Sequence, residues 1–487
     1  MKICVSIIEP RLEAAVDAAR SAVSKGADMV EVRFDMQYPL PTNLSSFSSV
    51  HVPKIATLRT VDQGGKYSGN ERERLAFFQT AMRAGFDFID LEHDSSLLDR
   101  REKELRGVIL ISSYHDFEKT PPASAILDIM IRASSKGAIP KAAFKVNGMA
   151  DLLSIIDAAR MFSTTDKKFV LIGMGELGEV IRMCADEIGS AFSYAALEEG
   201  KEAAPGQIDV EKMKALSEKR TIVGIIGHPL SHTMSPAMHN AAFTELKMAG
   251  RYLAFPVQST ELETFLQVAV EVDLRGFNVT IPHKEAIVPL LDRLDPSAEK
   301  VKAVNTVLME EGQLIGFNTD VHGVSMVFKE AGVLIKGRKA LIIGAGGAAR
   351  ACCAALSESG ARIVVVNRTG EKAEALSRDF KNTRAANMQE FDKEAFDIVI
   401  NCTPLGMKGF PDEMPLPPSI FKPGQFVMDL IYNPQKTRFL TEAEKRGAII
   451  ANGESMLIHQ ALKAFEIWTG RGASFEAMLG ALRGGGK

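Results

Sequence analysis

"GVILISSYHDF", residues 107–117, is an apolar run that finishes in polar and ionisable side chains. Residues 108–112 have the continuous apolar character of a buried strand, and Tyr114, His115 and Asp116 follow them. Strands of parallel sheets are covered on both faces, and their carboxyl ends carry functional groups. The stretch therefore predicts either a polar loop or a base held at the mouth of a barrel.

Seven similar runs surround this one and extend the pattern over the first half of the chain. The predicted strands are 3–8, 30–34, 55–59, 88–92, 108–112, 142–146, 169–172 and 192–196. Segments with helical spacing of apolar residues separate them, for example 12–24, 71–84, 123–135 and 151–162. Eight strand–helix units in ~210 residues predict a parallel (β/α)8 barrel, with an open doubly wound sheet as the alternative.

Composition limits the class of protein. With 487 residues the chain is too long for one ordinary core, and its net charge of −3 favours neither nucleic acid nor a membrane surface. The five cysteines show no metal-binding or disulfide spacing, and no run resembles a signal peptide or a membrane span. We expect a cytoplasmic α/β protein that acts on small molecules, with its oligomeric state open.

The pattern changes near Pro205, which sets the predicted domain boundaries. We expect a barrel over residues 1–218 and an α/β substrate domain over 221–320, completed by helices at about 453–487. A Rossmann domain is expected over 321–452, because "KALIIGAGGAARA" begins a mononucleotide-binding pattern there. Its later strands are predicted at 363–366, 398–401, 427–430 and 449–451.

The predicted carboxyl ends of the barrel strands collect charged groups that suit an anionic substrate with a carbonyl group. Lys145, in "AAFKVNG", is the lysine at such an end, and His115 is the histidine with suitable chemistry. A neutral lysine amine attacks a ketone to form an imine, which acidifies the adjacent C–H for a base to remove. The alternative is that Lys145 is a surface lysine and His115 a satisfied loop histidine.

The motifs "EVRFD", "TLRT", "SYHDF", "FKV", "GMGELG" and "APGQ" occur in the order seen in type I 3-dehydroquinate dehydratases. This resemblance spans residues 1 to about 218. It implies that Lys145 forms the imine and that His115 is the general acid–base. It also implies a set of substrate-binding residues: Glu31, Arg33, Arg59, Arg182 and Gln207. Two positions depart from the family, since Gln63 replaces a glutamate and Ala203 replaces a serine.

A glycine-rich turn opens the nucleotide-binding pattern of the second half. Glycines there allow backbone N–H groups to approach a pyrophosphate at a helix N-terminus. The predicted loop comprises Gly344, Ala345, Gly346, Gly347 and Ala348. The next strand ends in Asn367, Arg368 and Thr369 rather than in the acidic residue of an NAD site. Arg368 and Lys372 could hold a 2′-phosphate, so NADP is predicted rather than NAD.

Hydroxyl and amide groups before that turn suit a polyhydroxylated carboxylate. They include Ser231, Thr233, Ser235, Asn278, Thr280 and Asn305. Lys284 and Asp320 form a plausible dyad for proton transfer to a carbonyl oxygen, the alternative being a loop lysine and a helix cap. His228 and His232 are four residues apart, but Pro229 and the lack of a third ligand argue against a metal.

The order of "SPAMHN", "NVTIPHK", "AVNT", "NTD", "GAGGAAR", "NRT" and "GESMLIHQ" resembles shikimate dehydrogenases from residue 222 to about 483. This resemblance implies a catalytic Lys284. It implies substrate contacts from Thr233, Ser235, Thr280, Asn305, Asp320 and Gln460. It places Thr403, Leu430, Gly453 and Met456 near the nicotinamide. Thr233 replaces the usual serine, and Val321 replaces the usual glycine.

Together the two resemblances extend to the fused dehydratase–dehydrogenases known from plants and some bacteria. They imply conversion of 3-dehydroquinate to 3-dehydroshikimate and then NADPH-dependent reduction to shikimate, in the biosynthesis of aromatic amino acids. Two alternatives stay open at this point. The second half could be a quinate/shikimate dehydrogenase that uses NAD, and the barrel could be a non-catalytic module, because Gln63 and Ala203 depart from the family.

Overall fold

The computed structural model describes residues 1–218, 220–231, 233–387 and 395–484. It divides into two compact units: residues 1–221 with 260–274, and residues 222–259 with 275–487. This division into two units does not test the three predicted domain boundaries, which stay predictions. No helix in the described ranges combines the length and the apolarity that crossing a membrane requires.

The first unit contains a parallel sheet that winds into a barrel. Among its described residues the strands are β1 (Ile3–Ile7), β2 (Met29–Arg33), β3 (Lys54–Thr57), β4 (Phe88–Glu92), β5 (Ile109–Asp116), β6 (Ile139–Lys145), β7 (Val170–Met174) and β8 (Ser193–Ala195). Their order in the sheet is β7-β6-β5-β4-β3-β2-β1-β8. Strands β1 and β8 pair in parallel, with Cys4 opposite Tyr194. Each strand from β1 to β6 pairs with the next one along the chain, and the Ala191 N–H just before β8 donates to the Phe169 carbonyl just before β7 at 2.8 Å. A doubly wound sheet reverses its strand order in the middle, so this consecutively ordered and nearly closed sheet confirms the predicted barrel.

Helices alternate with these strands. They are α1 (Leu12–Ser24), α2 (Glu71–Arg83), α3 (Arg101–Glu104), α4 (Ala123–Ser135), α5 (Met149–Ser163), α6 (Glu179–Met183) and α7 (Val210–Glu218). Helix α1 buries Ala15, Val16, Ala19 and Ala22, which are spaced at three and four residues as an amphipathic helix requires. Helix α2 is capped by Asn70, whose side chain accepts from the N–H groups of Arg72 and Glu73.

Strand β5 differs from its prediction in a way that matters for function. It was expected to end at Ser112, yet its ladder with β6 continues to Asp116 and pairs His115 with Ala143. The imidazole is therefore carried by a strand rather than by a loop. Strand β6 also differs from its prediction of 142–146. It begins at Ile139, so that Lys141 lies inside the strand.

The second unit holds two sheets. Its strands are β9 (Thr221–Gly227), β10 (Gly250–Pro256), β11 (Gly276–Val279), β12 (Arg293–Leu294), β13 (Thr306–Glu310), β14 (Gln313–Phe317), β15 (Lys339–Ile343), β16 (Arg362–Val366), β17 (Thr383–Ala385), β18 (Ile398–Asn401), β19 (Phe426–Asp429) and β20 (Ile449–Ala451). One sheet, in the order β10-β9-β11-β13-β14-β12, mixes parallel and antiparallel pairs. The other, β17-β16-β15-β18-β19-β20, is parallel throughout, as a dinucleotide-binding sheet is.

The remaining helices complete the chain. They are α8 (Ser235–Glu245), α9 (Leu262–Glu271), α10 (Pro296–Val301), α11 (Asp320–Glu330), α12 (Gly347–Glu358), α13 (Gly370–Arg378), α14 (Arg438–Lys445), α15 (Gly453–Thr469) and α16 (Phe475–Gly484). Phe465 and Trp468 of α15 and Met478 of α16 share one hydrophobic core with Met238 and Phe243 of α8. The chain thus returns after the parallel sheet to cover the mixed sheet.

Candidate active sites

The mouth of the barrel encloses a cavity lined largely by ionisable and polar side chains. Its lining comprises Ser6, Glu31, Arg33, Arg59, Gln63, Gly64, His115, Phe117, Lys141, Ala143, Ile172, Arg182, Tyr194, Ala203, Ala204 and Gln207. Six of the residues predicted for this site lie there together: Glu31, Arg33, Arg59, His115, Arg182 and Gln207. They come from different strands and loops, and closure of the barrel brings them to one place.

Lys145 is the predicted residue that does not line this cavity. It is the last residue of β6, and its Nζ lies beside Gly175, where a Cβ atom would come within 2.6 Å of it. Lys141 lines the cavity instead. Residues 141, 143 and 145 face the same side of β6, because side chains alternate along a strand. The long side chain of Lys141 reaches the cavity from inside the barrel, whereas Lys145 lies at the rim.

Lys141 is buried among two carboxylates and an aromatic ring. Its Nζ lies 3.0 Å from Asp90 Oδ2 and 3.4 Å from Glu31 Oε1. The same ammonium lies 4.4 Å from the centre of the Tyr194 ring, a cation–π distance. Burying a lysine is costly unless it is paired or used in chemistry, so this environment identifies Lys141 as a candidate functional lysine.

The buried charges around Arg59 form a network. Arg59 donates to Asp90 at 2.5 Å and to Glu92 at 3.1 Å, and Glu92 also accepts from the buried Arg74. Although burial opposes it, the positive charges of Arg59 and Lys141 hold the pKa of Asp90 well below its usual range. Asp90 is therefore ionised and links the two cations of the cavity.

His115 is available as a base. Burial, followed by the positive charges of Arg59 and Lys141, lowers the pKa of His115 well below the ordinary value for imidazole. Its backbone N–H donates to Gln63 Oε1 at 3.2 Å, and its ring stacks on Phe117 at 5.9 Å. No described residue forms a hydrogen bond with its Nδ1. The neutral imidazole is thus held by its backbone while its ring is left for a ligand.

Arg182 is a buried cation without a partner carboxylate among the described residues. It is 2% exposed, and burial lowers its pKa to about 10, with the nearby Glu179 opposing this shift. One N–H group donates to the Pro205 carbonyl at 3.4 Å, and Nε has no partner in the described part of the chain. An anionic ligand would supply the missing charge.

Polar contacts hold the remaining barrel residues in place. Glu31 accepts from Ser6 at 3.1 Å and from Thr57 at 2.9 Å, and Arg33 pairs with Asp35 through two 2.8 Å hydrogen bonds. Gln207 Oε1 accepts from the backbone N–H of Ala203 at 2.8 Å. The departure at Ala203 therefore keeps this backbone contact and loses only a side-chain hydroxyl.

The second site lies in the second unit and is organised around Lys284. Its Nζ donates to Asp320 Oδ2 at 2.6 Å, and Asn305 Nδ2 donates to Asp320 Oδ1 at 2.9 Å. Asp320 is the first residue of α11 but is buried, which favours the predicted dyad over a simple cap. The Lys284 stem lies next to Gly347, where a Cβ atom would be 3.4 Å from Cδ, so the dyad adjoins the glycine-rich turn.

The other predicted substrate residues lie near this dyad. Gln460 Oε1 accepts from Asn305 at 3.4 Å. Thr280 follows β11 and Ser235 begins α8 after β9, and these two strands are parallel neighbours whose ends lie at the same edge. Thr233 Oγ1 accepts from the Ser235 N–H at 3.4 Å, so threonine keeps the hydroxyl of the usual serine. Val321 packs against the hydrophobic core of the parallel sheet.

The glycine-rich turn has the geometry of a dinucleotide site. Gly344 has φ +111°, a conformation that favours glycine, and Gly346 precedes the first residue of α12 with open space around it. Ala345, Gly347 and Ala348 complete the turn and the first residues of the helix. An anion would meet free N–H groups at this helix N-terminus.

The cofactor-discriminating residues follow β16. Asn367 Nδ2 donates to the Thr369 carbonyl at 2.9 Å and shapes the turn before α13. Arg368 and Lys372 are exposed, and neither side chain has an ion-pair partner among the described residues. Two free cations at the end of the second strand suit the 2′-phosphate of NADP.

The predicted nicotinamide residues lie at the carboxyl edge of the same sheet. Thr403 follows β18 and donates to Asn401 at 2.7 Å, and Leu430 follows β19. Gly453 begins α15 so close to Leu430 that a Cβ atom would lie 2.0 Å from its carbonyl oxygen. Met456, on the next residues of α15, is buried. These four residues therefore share one edge, next to the glycine-rich turn.

Metal binding is the one further possibility that the histidine spacing raised. His232 lies outside the described residues. Among the residues that are described, no group of three or more potential metal ligands occurs.

Sequence reasoning missed Lys141 and Asp90, because it searched only the predicted strand ends. A usable sign was nonetheless present in "AIPKAAF" and "FIDLE", where one charged residue interrupts an apolar strand. A charged side chain in a buried strand requires a partner or a function.

Comparisons with known proteins agree with this arrangement. Residues 3–222 match the family model of type I 3-dehydroquinase. Residues 225–307 match the substrate binding domain of shikimate dehydrogenase, residues 327–406 match shikimate/quinate 5-dehydrogenase, and residues 453–483 match the shikimate 5′-dehydrogenase C-terminal domain.

Relatives match both the whole chain and its second part. The chloroplastic bifunctional 3-dehydroquinate dehydratase/shikimate dehydrogenase of Arabidopsis thaliana is 33% identical over 96% of this chain and 82% of its own. Shikimate dehydrogenase (NADP+) of Moorella thermoacetica is 43% identical over 54% of this chain and 92% of its own. The Thermus thermophilus shikimate 5-dehydrogenase, solved with NADP(H) and shikimate, is 38% identical, with a TM-score of 0.51 over 54% of this chain and 98% of its own.

A lyase-type barrel followed by a dehydrogenase defines a bifunctional enzyme of the shikimate pathway. The chain belongs to the family of bifunctional 3-dehydroquinate dehydratases/shikimate dehydrogenases. The predictions of family, fold class, both enzyme activities and NADP as cofactor are confirmed.

Proposed function

We propose that Lys141, rather than Lys145, forms the imine with 3-dehydroquinate and that His115 is the general acid–base. The observation that carries this proposal is that Lys141 and His115 line one cavity together with the unpaired cation Arg182. Lys145 lies at the rim beside Gly175. The resemblance that pointed to a Schiff-base lysine is retained, and only the position changes.

The neighbours of Lys141 suit it to imine formation. Its amine must lose a proton before it attacks a ketone, and neutral His115, which lines the same cavity, is the base that takes it. Asp90, 3.0 Å from Nζ, stays ionised and holds the amine in place. Addition to the carbonyl and loss of water give the imine, which draws electrons from the adjacent C–H bond. Neutral His115 removes that proton, the hydroxyl group on the next carbon leaves as water, and hydrolysis frees Lys141 with 3-dehydroshikimate as product.

Substrate binding in the barrel divides between charge and hydrogen bonds. Arg182 pairs with the ring carboxylate, because its buried guanidinium forms no ion pair with any described residue. Glu31, Arg33, Arg59 and Gln207 complete the site. Arg33 and Arg59 are already paired with Asp35 and with Asp90 and Glu92, so their role is to shape the cavity as much as to add charge.

The second unit reduces 3-dehydroshikimate to shikimate. Bound NADPH supplies the hydride. Lys284, held by Asp320 at 2.6 Å, donates the proton to the carbonyl oxygen, and Asp320 orients the amine. Thr233, Ser235, Thr280, Asn305 and Gln460 bind the ring hydroxyls and carboxylate. The glycine-rich turn would hold the pyrophosphate, and Arg368 with Lys372 would hold the 2′-phosphate.

The two reactions are consecutive, since the product of the barrel is the substrate of the second unit. The chain therefore binds the small molecules 3-dehydroquinate, 3-dehydroshikimate and shikimate. We propose the cytoplasm as its compartment, supported by five free cysteines, four of them buried. The Arabidopsis relative carries the description chloroplastic.

Borohydride trapping tests the lysine assignment. The full chain is incubated with 3-dehydroquinate, reduced with borohydride and digested, and the adduct is mapped by mass spectrometry. We expect the adduct on Lys141. Mapping to Lys145 would restore the original prediction, and an active enzyme without an adduct would exclude an imine mechanism. Lys145→Met is the matched control, because it removes a neighbouring lysine of the same strand.

A further inference from the structure

The hydroxyl group of Tyr194 has no assigned role, although Tyr194 lines the barrel cavity. Tyr194 belongs to β8, is 2% exposed and lines the same cavity as Lys141 and His115. Its hydroxyl oxygen forms no hydrogen bond with any described residue. A buried hydroxyl without a partner is costly, and such groups in native proteins generally serve a ligand or a water molecule.

The protonation state of this hydroxyl suits a hydrogen-bond donor. Burial raises the pKa of Tyr194 well above its ordinary value, and the nearby carboxylates Glu31 and Asp90 act in the same direction, against Arg59. The phenol is therefore protonated at neutral pH and can donate one hydrogen bond. Because no acceptor among the described residues takes that bond, an oxygen atom of the ligand is the natural acceptor.

The position of the ring indicates which ligand oxygen this is. Lys141 Nζ lies 4.4 Å from the centre of the Tyr194 ring, so the ring lies directly against the attacking amine. The hydroxyl is attached to that ring, and Tyr194 lines the cavity in which the amine would meet its ketone. The ligand oxygen nearest to both groups is the one on the carbon that Lys141 attacks.

We propose that Tyr194 is a further catalytic residue, whose hydroxyl donates a hydrogen bond to the ketone oxygen of a cyclic polyhydroxy ketone while Lys141 adds to the carbonyl carbon. In that step a C–N bond forms and the electron pair of the C=O bond moves to oxygen, where negative charge develops. A fixed donor stabilises that charge, as in an oxyanion hole. Tyr194 keeps its own proton, and the oxygen later leaves as water. This inference rests on the proposed function of Lys141.

The test is Tyr194→Phe in the full chain, with Tyr38→Phe as the matched control. Tyr38 belongs to the same unit and is 98% exposed, so its variant removes a phenolic oxygen from a solvent-exposed side chain. Phenylalanine keeps the ring against Lys141 and removes only the hydroxyl. We expect dehydratase kcat and the single-turnover rate of borohydride trapping to fall about 10- to 100-fold in Tyr194→Phe. Tyr38→Phe should match the unaltered chain.

Two readouts separate catalysis from structure. The melting temperature of Tyr194→Phe should equal or exceed that of the unaltered chain, because an unsatisfied buried hydroxyl is removed. Reduction of 3-dehydroshikimate by the same molecules should be unchanged. A trapping rate within twofold of the unaltered chain would overturn the role of Tyr194, as would a rate loss accompanied by a lower melting temperature.

The outcome also distinguishes this inference from the proposed function. If the unaltered chain forms an adduct on Lys141 and Tyr194→Phe forms it equally fast, only the role of Tyr194 is wrong. If the unaltered chain turns 3-dehydroquinate over without any adduct on Lys141, the lysine assignment fails, and the role of Tyr194 fails with it.

Discussion

The two candidate sites hold their lysines in opposite ways. In the barrel, Lys141 is buried inside a strand and surrounded by Asp90, Glu31 and the Tyr194 ring. In the second unit, Lys284 follows a strand, has a side chain 20% exposed and contacts the single carboxylate of Asp320. The lysine proposed to form the imine is thus enclosed in a network of buried charges, whereas the lysine proposed to donate a proton is partly exposed beside the glycine-rich turn.

The difference teaches how far each site depends on the whole fold. The lining of the barrel site comes from strands β1, β2 and β5 to β8, from helix α6 and from loops, so it is assembled only when those strands are brought together in one barrel. The residues of the second site lie in short motifs, in loops and on helices α8, α11, α12 and α15. Substitutions of the lysines in each site, of the cation proposed to bind the 2′-phosphate, and of a residue next to His115 therefore test the comparison directly.

The largest expected effect comes from Lys141→Met compared with Lys145→Met. Loss of the imine should lower dehydratase kcat/KM by about 10³-fold or more, since covalent catalysis disappears. Lys145→Met should retain activity within about threefold. Steady-state formation of 3-dehydroshikimate measures both, and the NADPH-dependent reaction of the same chain reports on folding. Equal losses in the two variants would contradict the contrast between an enclosed lysine and a rim lysine.

The next effect is in the second unit. Lys284→Met should lower the rate of ketone reduction about 10²- to 10³-fold, because a positioned proton donor is lost. Dehydratase activity should be unchanged. The rate is followed as NADPH absorbance with 3-dehydroshikimate, and Lys302→Met, an exposed lysine that pairs with Asp379, is the matched control. A reductase that retained its full rate would remove the proposed proton transfer.

A smaller effect is expected for cofactor binding. Arg368→Ala should raise KM for NADPH about tenfold and leave KM for NADH nearly unchanged, since one charge–phosphate contact is worth about that factor. Arg378→Ala is the control, because Arg378 is 77% exposed and pairs with Glu374 on the same helix, α13. If both cofactors lost affinity equally, Arg368 would not recognise the 2′-phosphate.

The smallest expected effect concerns pH. His115 is active when deprotonated, and its lowered pKa means that protonation occurs only well below pH 6.5. Dehydratase kcat/KM should therefore stay level as the pH falls through 6.5 and decline only at lower pH. Gln63→Glu adds a carboxylate next to His115, raises the imidazole pKa and should move this decline to higher pH. A decline centred near 6.5 in the unaltered chain would contradict the burial of the base.

Local sequence determined the elements and much of the second site. Helices α1 and α4 begin and end where their apolar spacing predicted, because that spacing depends on neighbours a few residues away. The glycine-rich turn and the charges that follow β16 were likewise readable, since each functional group lies beside its own strand end. The eight-strand barrel followed from the number and order of the strands.

Only the tertiary structure showed which lysine lines the same cavity as His115. The sequence offered two lysines on the same side of one strand, four residues apart, and local pattern cannot distinguish them. The choice depends on where β6 begins relative to β5 and on the side chains that the closed barrel brings around each amine. Burial, pairing and the lowered pKa of His115 are products of that closure, so they belong to the fold as a whole.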